Sequence, residues 1–241
     1  MLRFLRSVVL AAAAGAGLTS ALMMSAAPAA AVESAQPTPA VESVVVYPGM
    51  EIRQAGSLCT LGYVDSVERI AFSAGHCGGH GPVTDAGGRF LGTVSSWRDN
   101  TPDGSVVRVD QVISDYQVID LAADVVINDI TPVGRQLVAD AAAPLTVGQQ
   151  VCHYGVITGE SCGTIERINN GWFTMDNGVV SRKGDSGGPV YTLAGDGTAV
   201  LIGLFNSTWG HLPVAVSWQA TSRDALGDIG AGVITAVSAR G

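Results

Sequence analysis

From Val44 onward, short runs of β-branched and aromatic residues alternate with polar turn signals. In the first half these runs cover residues 58–64, 70–74, 90–97, 105–109 and 116–119. In the second half they cover 150–154, 162–168, 172–175, 189–192, 200–205 and 213–218. Gly87-Gly88, Asp99-Asn100 and Gly195-Asp196-Gly197 separate some of them, and Gly, Asn and Asp tolerate the positive φ of tight turns. Many short strands at such spacing predict an all-β sandwich or barrel. One short C-terminal helix is expected, opening near Thr221-Ser222 with a hydroxyl as cap and running through Arg223 to Leu226. No internal repeat is present.

The pattern lapses in two places. Residues 131–145 are Ala-rich, hold two prolines and lack strand alternation, so they read as a connection between β units at 44–130 and 146–241. The alternative is a long surface loop within one domain. At the N-terminus, Arg3 and Arg6 precede an apolar Ala-rich run over 7–24, and Ala29-Ala30-Ala31 offers a cleavage site. That layout predicts a secretory signal peptide over 1–31 rather than a membrane anchor, because Ala and Gly are only weakly lipophilic. Residues 32–43, rich in Ala and Pro, read as a flexible leader or short pro-segment.

Composition narrows the picture. The net charge of the 241-residue chain is −8. Loss of Arg3 and Arg6 with the signal leaves eleven basic against twenty-one acidic residues, a net charge of −10. Such a protein has no electrostatic reason to bind nucleic acid or an anionic membrane, so no stable membrane association is expected after signal removal. Scarce charge and thirty-one glycines suit short strands joined by tight turns. Four cysteines, an even number in an exported chain, predict two disulfides.

Gly184-Asp185-Ser186-Gly187-Gly188-Pro189-Val190 carries the strongest chemical signal. Hydrolysis by a serine needs an exposed hydroxyl, a base to take its proton and donors for the developing oxyanion. Glycines around Ser186 permit a tight turn that projects its hydroxyl, and the N–H groups of Gly184 and Ser186 can converge on one oxygen. The plain alternative is a Gly-rich hairpin with an incidental serine.

This GDSGGPV segment resembles the nucleophile motif of chymotrypsin-like serine proteases. Ser73-Ala74-Gly75-His76-Cys77 is similar to that family's histidine motif, with Ser73 where Thr is usual. The order His, Asp, Ser agrees. Residues 149–166 resemble the bacterial branch typified by streptogrisins and α-lytic protease. The resemblance implies two six-stranded antiparallel β-barrels with a short C-terminal helix. It also implies a secreted serine endopeptidase with Ser186 as nucleophile, His76 as general base and an acyl-enzyme intermediate.

Asp115, Asp120, Asp110 and Asp124 compete for the third place, that of the carboxylate orienting the imidazole. Asp115 is favoured because Asp115 to Leu121 resembles the family's Asp followed by a buried strand, with Asp120 as rival. Disulfides Cys59–Cys77 and Cys152–Cys162 are implied, the first closing a loop of a size associated with about 3 kcal/mol. A zinc site of Cys59, His76, Cys77 and His80 is disfavoured: adjacent His76 and Cys77 are awkward ligands, and Gly78-Gly79 argues against a helix presenting both histidines. No metal or cofactor is expected.

The resemblance implies that Asp185 is buried beside the nucleophile, where it needs a partner, since an unpaired buried charge is costly. Val46-Tyr47-Pro48-Gly49 matches poorly the cleaved N-terminus that animal relatives use. The α-lytic-like branch places an Arg after the first Cys of the second disulfide, where this chain has His153. Protonated His153 is therefore the expected partner, with Arg135, Arg182 and Lys183 as alternatives.

In the specificity pocket, Val180 stands where relatives that cut after Lys or Arg carry an acid, which predicts a non-basic preference. The facing wall should come from 205–208, and Phe205, Asn206, Ser207 and Thr208 depart from the usual Ser, aromatic, Gly order. A modest apolar pocket is expected; Lys183 or His211 near the rim would instead favour acidic groups. The partner is a peptide or protein substrate, and a monomer is expected. An α/β-hydrolase esterase, also compatible with G-x-S-x-G, needs the order Ser, acid, His and more helices than this chain supplies. An exported binding protein that keeps the protease fold but cleaves weakly or not at all is the stronger rival.

Overall fold

The structure, a computed structural model, describes residues 43–102 and 107–238, with side chains described as far as Gly230. The expected signal peptide (1–31) and nearly all of the leader (32–43) lie outside the described residues.

Two large β-sheets and one α-helix dominate the described chain, with a small parallel pair, Val45–Val46 on Val126–Ile127, beside them. In the N-terminal sheet the strands run in the spatial order Ser57–Thr60, Glu51–Gln54, Gly81–Thr84, Phe90–Asp99, Asp115–Leu121, Ile70–Ser73, Tyr63–Asp65. Every pairing in it is antiparallel. Asp115–Leu121 is an interior strand, and its first five residues are buried in succession because both faces are covered. Tyr116 and Val118 turn to a core shared with the second sheet, whereas Ile119 turns into the N-terminal core. That alternation is the two-residue repeat of a strand.

The C-terminal sheet closes into a six-stranded barrel. Its order is Ala199–Trp209, Pro189–Leu193, Gln150–Gly155, Gly159–Ile168, Trp172–Asp176, Leu212–Ser217, and the last strand pairs back to Ala199–Trp209. Val151, Ile165, Phe173, Met175, Ile202 and Ala215 belong to its interior cluster.

Three details differ from the sequence pattern. The stretch 131–145 contains a short strand, Leu137–Ala139, which pairs in parallel with Ala199–Leu201 and buries Leu137. Residues 107–109 form no strand; Val107 packs partly against the shared core while Val109 is exposed. The helix is not short: it spans Trp218–Ser238 and begins before the hydroxyl pair taken as its cap. Tertiary packing explains the early start. Trp218 is buried edge-on against Phe72 of the first sheet, with ring centroids 4.9 Å apart. Arg98 and the Tyr116 hydroxyl bind Asp228 from below the helix.

The shared core joins the two sheets. Phe72, Tyr116 and Val118 meet Leu201, Leu204, Val214, Val216 and Trp218 there. Burial of these large side chains, each worth about 1.5–3 kcal/mol, sets the two sheets face to face and leaves a cleft at their junction.

Candidate active site

His76 lies in a short 3-10 turn, Gly75–Cys77, directly after the strand Ile70–Ser73. Only glycine fits before it: a Cβ on Gly75 would sit 2.0 Å from the carbonyl oxygen of Arg98. Cys77 is joined to Cys59 by a disulfide, which ties the turn to the neighbouring strand. A second disulfide joins Cys152 and Cys162 across paired strands.

Asp115 is completely buried and meets His76 twice. Its Oδ1 accepts the His76 backbone N–H at 2.9 Å, and its Oδ2 lies 2.8 Å from Nδ1. A carboxylate only accepts, so Nδ1 carries the proton and Nε2 is left with a free lone pair. Burial pulls the imidazole pKa down, but the hydrogen bond to Asp115 and the charges of Asp115 and Asp99 outweigh it and hold it above the ordinary value. Asp120 sits at the exposed far end of the strand, where Ser95 binds it. Asp110 is paired with Arg108 on the surface.

Ser186 is presented by the Gly-rich turn between the loop 177–185 and the strand Pro189–Leu193. Gly187 has φ +85°, and a Cβ on it would strike Ser73 Oγ at 2.1 Å, so the turn rests directly on the histidine segment. Thr60 staples the two halves together. Its N–H donates to Ser186 O at 2.8 Å, its hydroxyl donates to Gly184 O at 2.9 Å, and Val156 N–H donates back to that hydroxyl at 3.0 Å. Nothing in the sequence singled out Thr60; its only signal is the neighbouring Cys59. The N–H groups of Gly184 and Ser186 have no acceptor among the described residues. Both residues line a cavity of about 450 Å³ together with His76, Leu58 and Lys183.

His76 and Ser186 also line a second cavity, of about 490 Å³, with Ser181, Arg182, Lys183 and the wall 205–208. The Ser186 hydroxyl donates to the carbonyl of Asn206 at 3.4 Å, and no hydrogen bond to His76 is formed. Asn206 does more than line the wall. Its buried amide donates to Asp115 Oδ2 at 2.6 Å and to Thr101 Oγ1 at 2.9 Å. A register shift between Phe205 and Ser207 accompanies this placement. Phe205 is buried against His153, with ring centroids 4.6 Å apart.

Two expectations fail. Protonated His153 does not pair with Asp185. The carboxylate is instead saturated by neutral donors: Ile157 N–H at 2.9 Å, Thr158 N–H at 3.2 Å, Thr158 hydroxyl at 2.9 Å and Arg182 N–H at 2.7 Å. These stabilise a carboxylate without a cation. His153 is fully buried with Nε2 unpartnered, and burial drives its pKa well down despite the nearby Asp185. It is neutral. Arg135, one alternative, is committed to Glu160. Val180, expected in the pocket, is half exposed and is not among the residues lining the cavity. Its backbone is held out by Ser161, while Ser181 faces Thr208 across the pocket, hydroxyl to hydroxyl, at 2.8 Å.

No family model matches the chain. The paired sheets have the fold of chymotrypsin-like serine proteases, and the bacterial proteases among the solved structures are similar to them. Cellulomonas bogoriensis chymotrypsin is 25% identical, over 76% of this chain and 96% of that one, with a TM-score of 0.52. A glutamic acid specific serine protease, described as using a histidine triad in substrate binding, is 18% identical over 77% and 98%, with a TM-score of 0.53. By sequence, the chain belongs to one family with the Mycobacterium tuberculosis proteins MT1863 and Rv1815, both described as uncharacterized. Each is 54% identical over 187 residues, 78% of this chain and 85% of the relative.

Proposed function

We propose that this protein is a secreted serine endopeptidase. Ser186 is the nucleophile, His76 the general base and Asp115 the group that orients and balances the imidazole. The observation that carries the reading is the meeting of His76 and Ser186 on one cleft, with Asp115 bound to Nδ1 so that Nε2 is the free base.

The Ser186 hydroxyl turns from the Asn206 carbonyl toward Nε2 when substrate enters. Nε2 takes its proton as Oγ attacks the peptide carbonyl. The carbonyl π electrons move onto oxygen, where the free N–H groups of Gly184 and Ser186 receive them. The imidazolium, held by Asp115, then gives the proton to the leaving amine as the C–N bond breaks. Water repeats the sequence on the acyl-enzyme.

Bent Ser57–Asp65 pairs with Glu51–Gln54 at one end and Ile70–Ser73 at the other. That supports a second six-stranded barrel over 44–130, joined through 131–145 to the barrel of 146–241. Two disulfides accord with export, and among the described residues no helix is long and apolar enough to cross a membrane. The pocket does not favour a basic substrate residue, since no acidic side chain lines it. The glutamic acid specific neighbour carries no specificity over, because His80, His153 and His211 do not line this pocket.

A second reading is a protease-fold binding protein with weak or no catalysis, favoured by the bond from Ser186 to Asn206 in place of His76. A serine-directed phosphonate separates the two. Labelling of the protein but not of Ser186→Ala is the expected result; absence of labelling would leave the binding protein.

A further inference from the structure

We propose that the cavity beside Ser186 takes a carboxylate side chain, so that the enzyme cleaves after Glu or Asp. This rests on the hydrolase reading above.

Most cations of the described chain are already matched. Seven arginines lie within 4.0 Å of a carboxylate. Arg69 donates to the carbonyls of Ala122 and Val125. The side chains of Arg182 and Lys183 have no such partner among the described residues, and Lys183 is the only lysine in the sequence. These two adjacent cations line the same cavity as Ser186.

The two buried acids of this region, Asp185 and Asp115, form no ion pair with them. Asp185, close by in the chain, is fully buried, and its oxygens accept the backbone N–H groups of Ile157, Thr158 and Arg182 and the Thr158 hydroxyl, with no cationic side chain bound. Asp115 is buried too, its Oδ2 occupied by the Asn206 amide and the imidazole. In a chain of net charge −8, an unmatched pair of cations in a cleft marks where an anion is drawn in. The rest of the wall suits one as well, since Ser181, Ser207 and Thr208 bring hydroxyl donors. Arg182 offers the planar fork that holds a carboxylate with two bonds, and Lys183 adds a point charge at the rim.

The test uses the mature protein and blocked peptides, N-acetylated and C-amidated so that only a side chain supplies the carboxylate. They differ solely in the residue before the scissile bond: Glu, Gln, Leu or Lys. An uncharged phosphonate reports the Ser186 hydroxyl separately, and protection from it reports peptide binding without turnover. The expected result is a preference for Glu over Gln of about ten-fold or more in kcat/KM, or in protection where turnover is slow. It should shrink as salt rises and vanish in the Arg182→Gln/Lys183→Gln double variant. Equal use of Glu and Gln, or a preference for Leu or Lys, overturns the acidic pocket and leaves the hydrolase standing. Failure of both labelling and turnover overturns the hydrolase reading and this inference with it.

Discussion

The Asn206 amide donates to the same oxygen of Asp115 that meets His76 Nδ1, so one buried carboxylate oxygen links the pocket wall to the imidazole. The wall of the cleft and the carboxylate that holds His76 are thus mechanically joined.

Removing that amide should be felt at both ends. Asn206→Ala leaves a buried carboxylate short of a donor, which costs about 1–3 kcal/mol. Denaturant unfolding measures the loss, and peptide turnover should fall at least several-fold alongside it. Asn206→Asp should be worse, because it sets a second negative charge against Asp115.

The pH profile follows from His76. Its pKa is raised, so the neutral base accumulates only above the ordinary histidine range of about 6.5. Turnover should climb with pH through a midpoint above that value. Stability carries the opposite sign: the contribution of a raised pKa is complete below about 6.5 and is lost as pH rises through the folded value. In Asp115→Asn the hydrogen bond no longer selects the productive tautomer, and kcat should drop by about 10⁴. A flat profile, or one unchanged in Asp115→Asn, would contradict these roles.

Thr60 tests the coupling of the two halves. Thr60→Val keeps the shape but removes the donor to Gly184 O and the acceptor for Val156 N–H. A loss of about 1–3 kcal/mol is expected, with slower phosphonate labelling of Ser186. Thr60→Ser should restore most of both.

The helix should loosen in acid. The hydrogen bond from Arg98 and that from the Tyr116 hydroxyl hold the Asp228 pKa below its usual value against burial. A lowered pKa stabilises the fold above the ordinary carboxylate value of about 3.9, and that stability is lost as pH falls through the folded value. Near-UV circular dichroism, sensitive to Trp218 packed on Phe72, should report the change. Asp228→Asn should bring it about at neutral pH.

The β character, the nucleophile turn and the histidine turn were legible because each rests on adjacent residues: alternation along a strand, glycines flanking Ser186, Gly75 before His76. The disulfide partners followed from resemblance. Asp185 misled because a carboxylate beside a nucleophile invites a search for a cation. Its donors are the Thr158 hydroxyl and the backbone N–H groups of 157, 158 and 182, and backbone donors are ones every sequence offers and none advertises. Val180 misled because its backbone is tied to Ser161 and it stays half exposed, so that Ser181 lines the cavity instead.

What the chain determined by itself needs only near neighbours: which serine sits in a Gly-rich turn, which histidine follows a glycine, and that short strands predominate. Packing of the two sheets decided the rest, because a hydrogen bond such as Asn206 to Asp115 joins residues ninety-one positions apart. Burial then selects which partner is close and which charge survives, leaving His153 neutral and Arg182 and Lys183 uncommitted at the cleft.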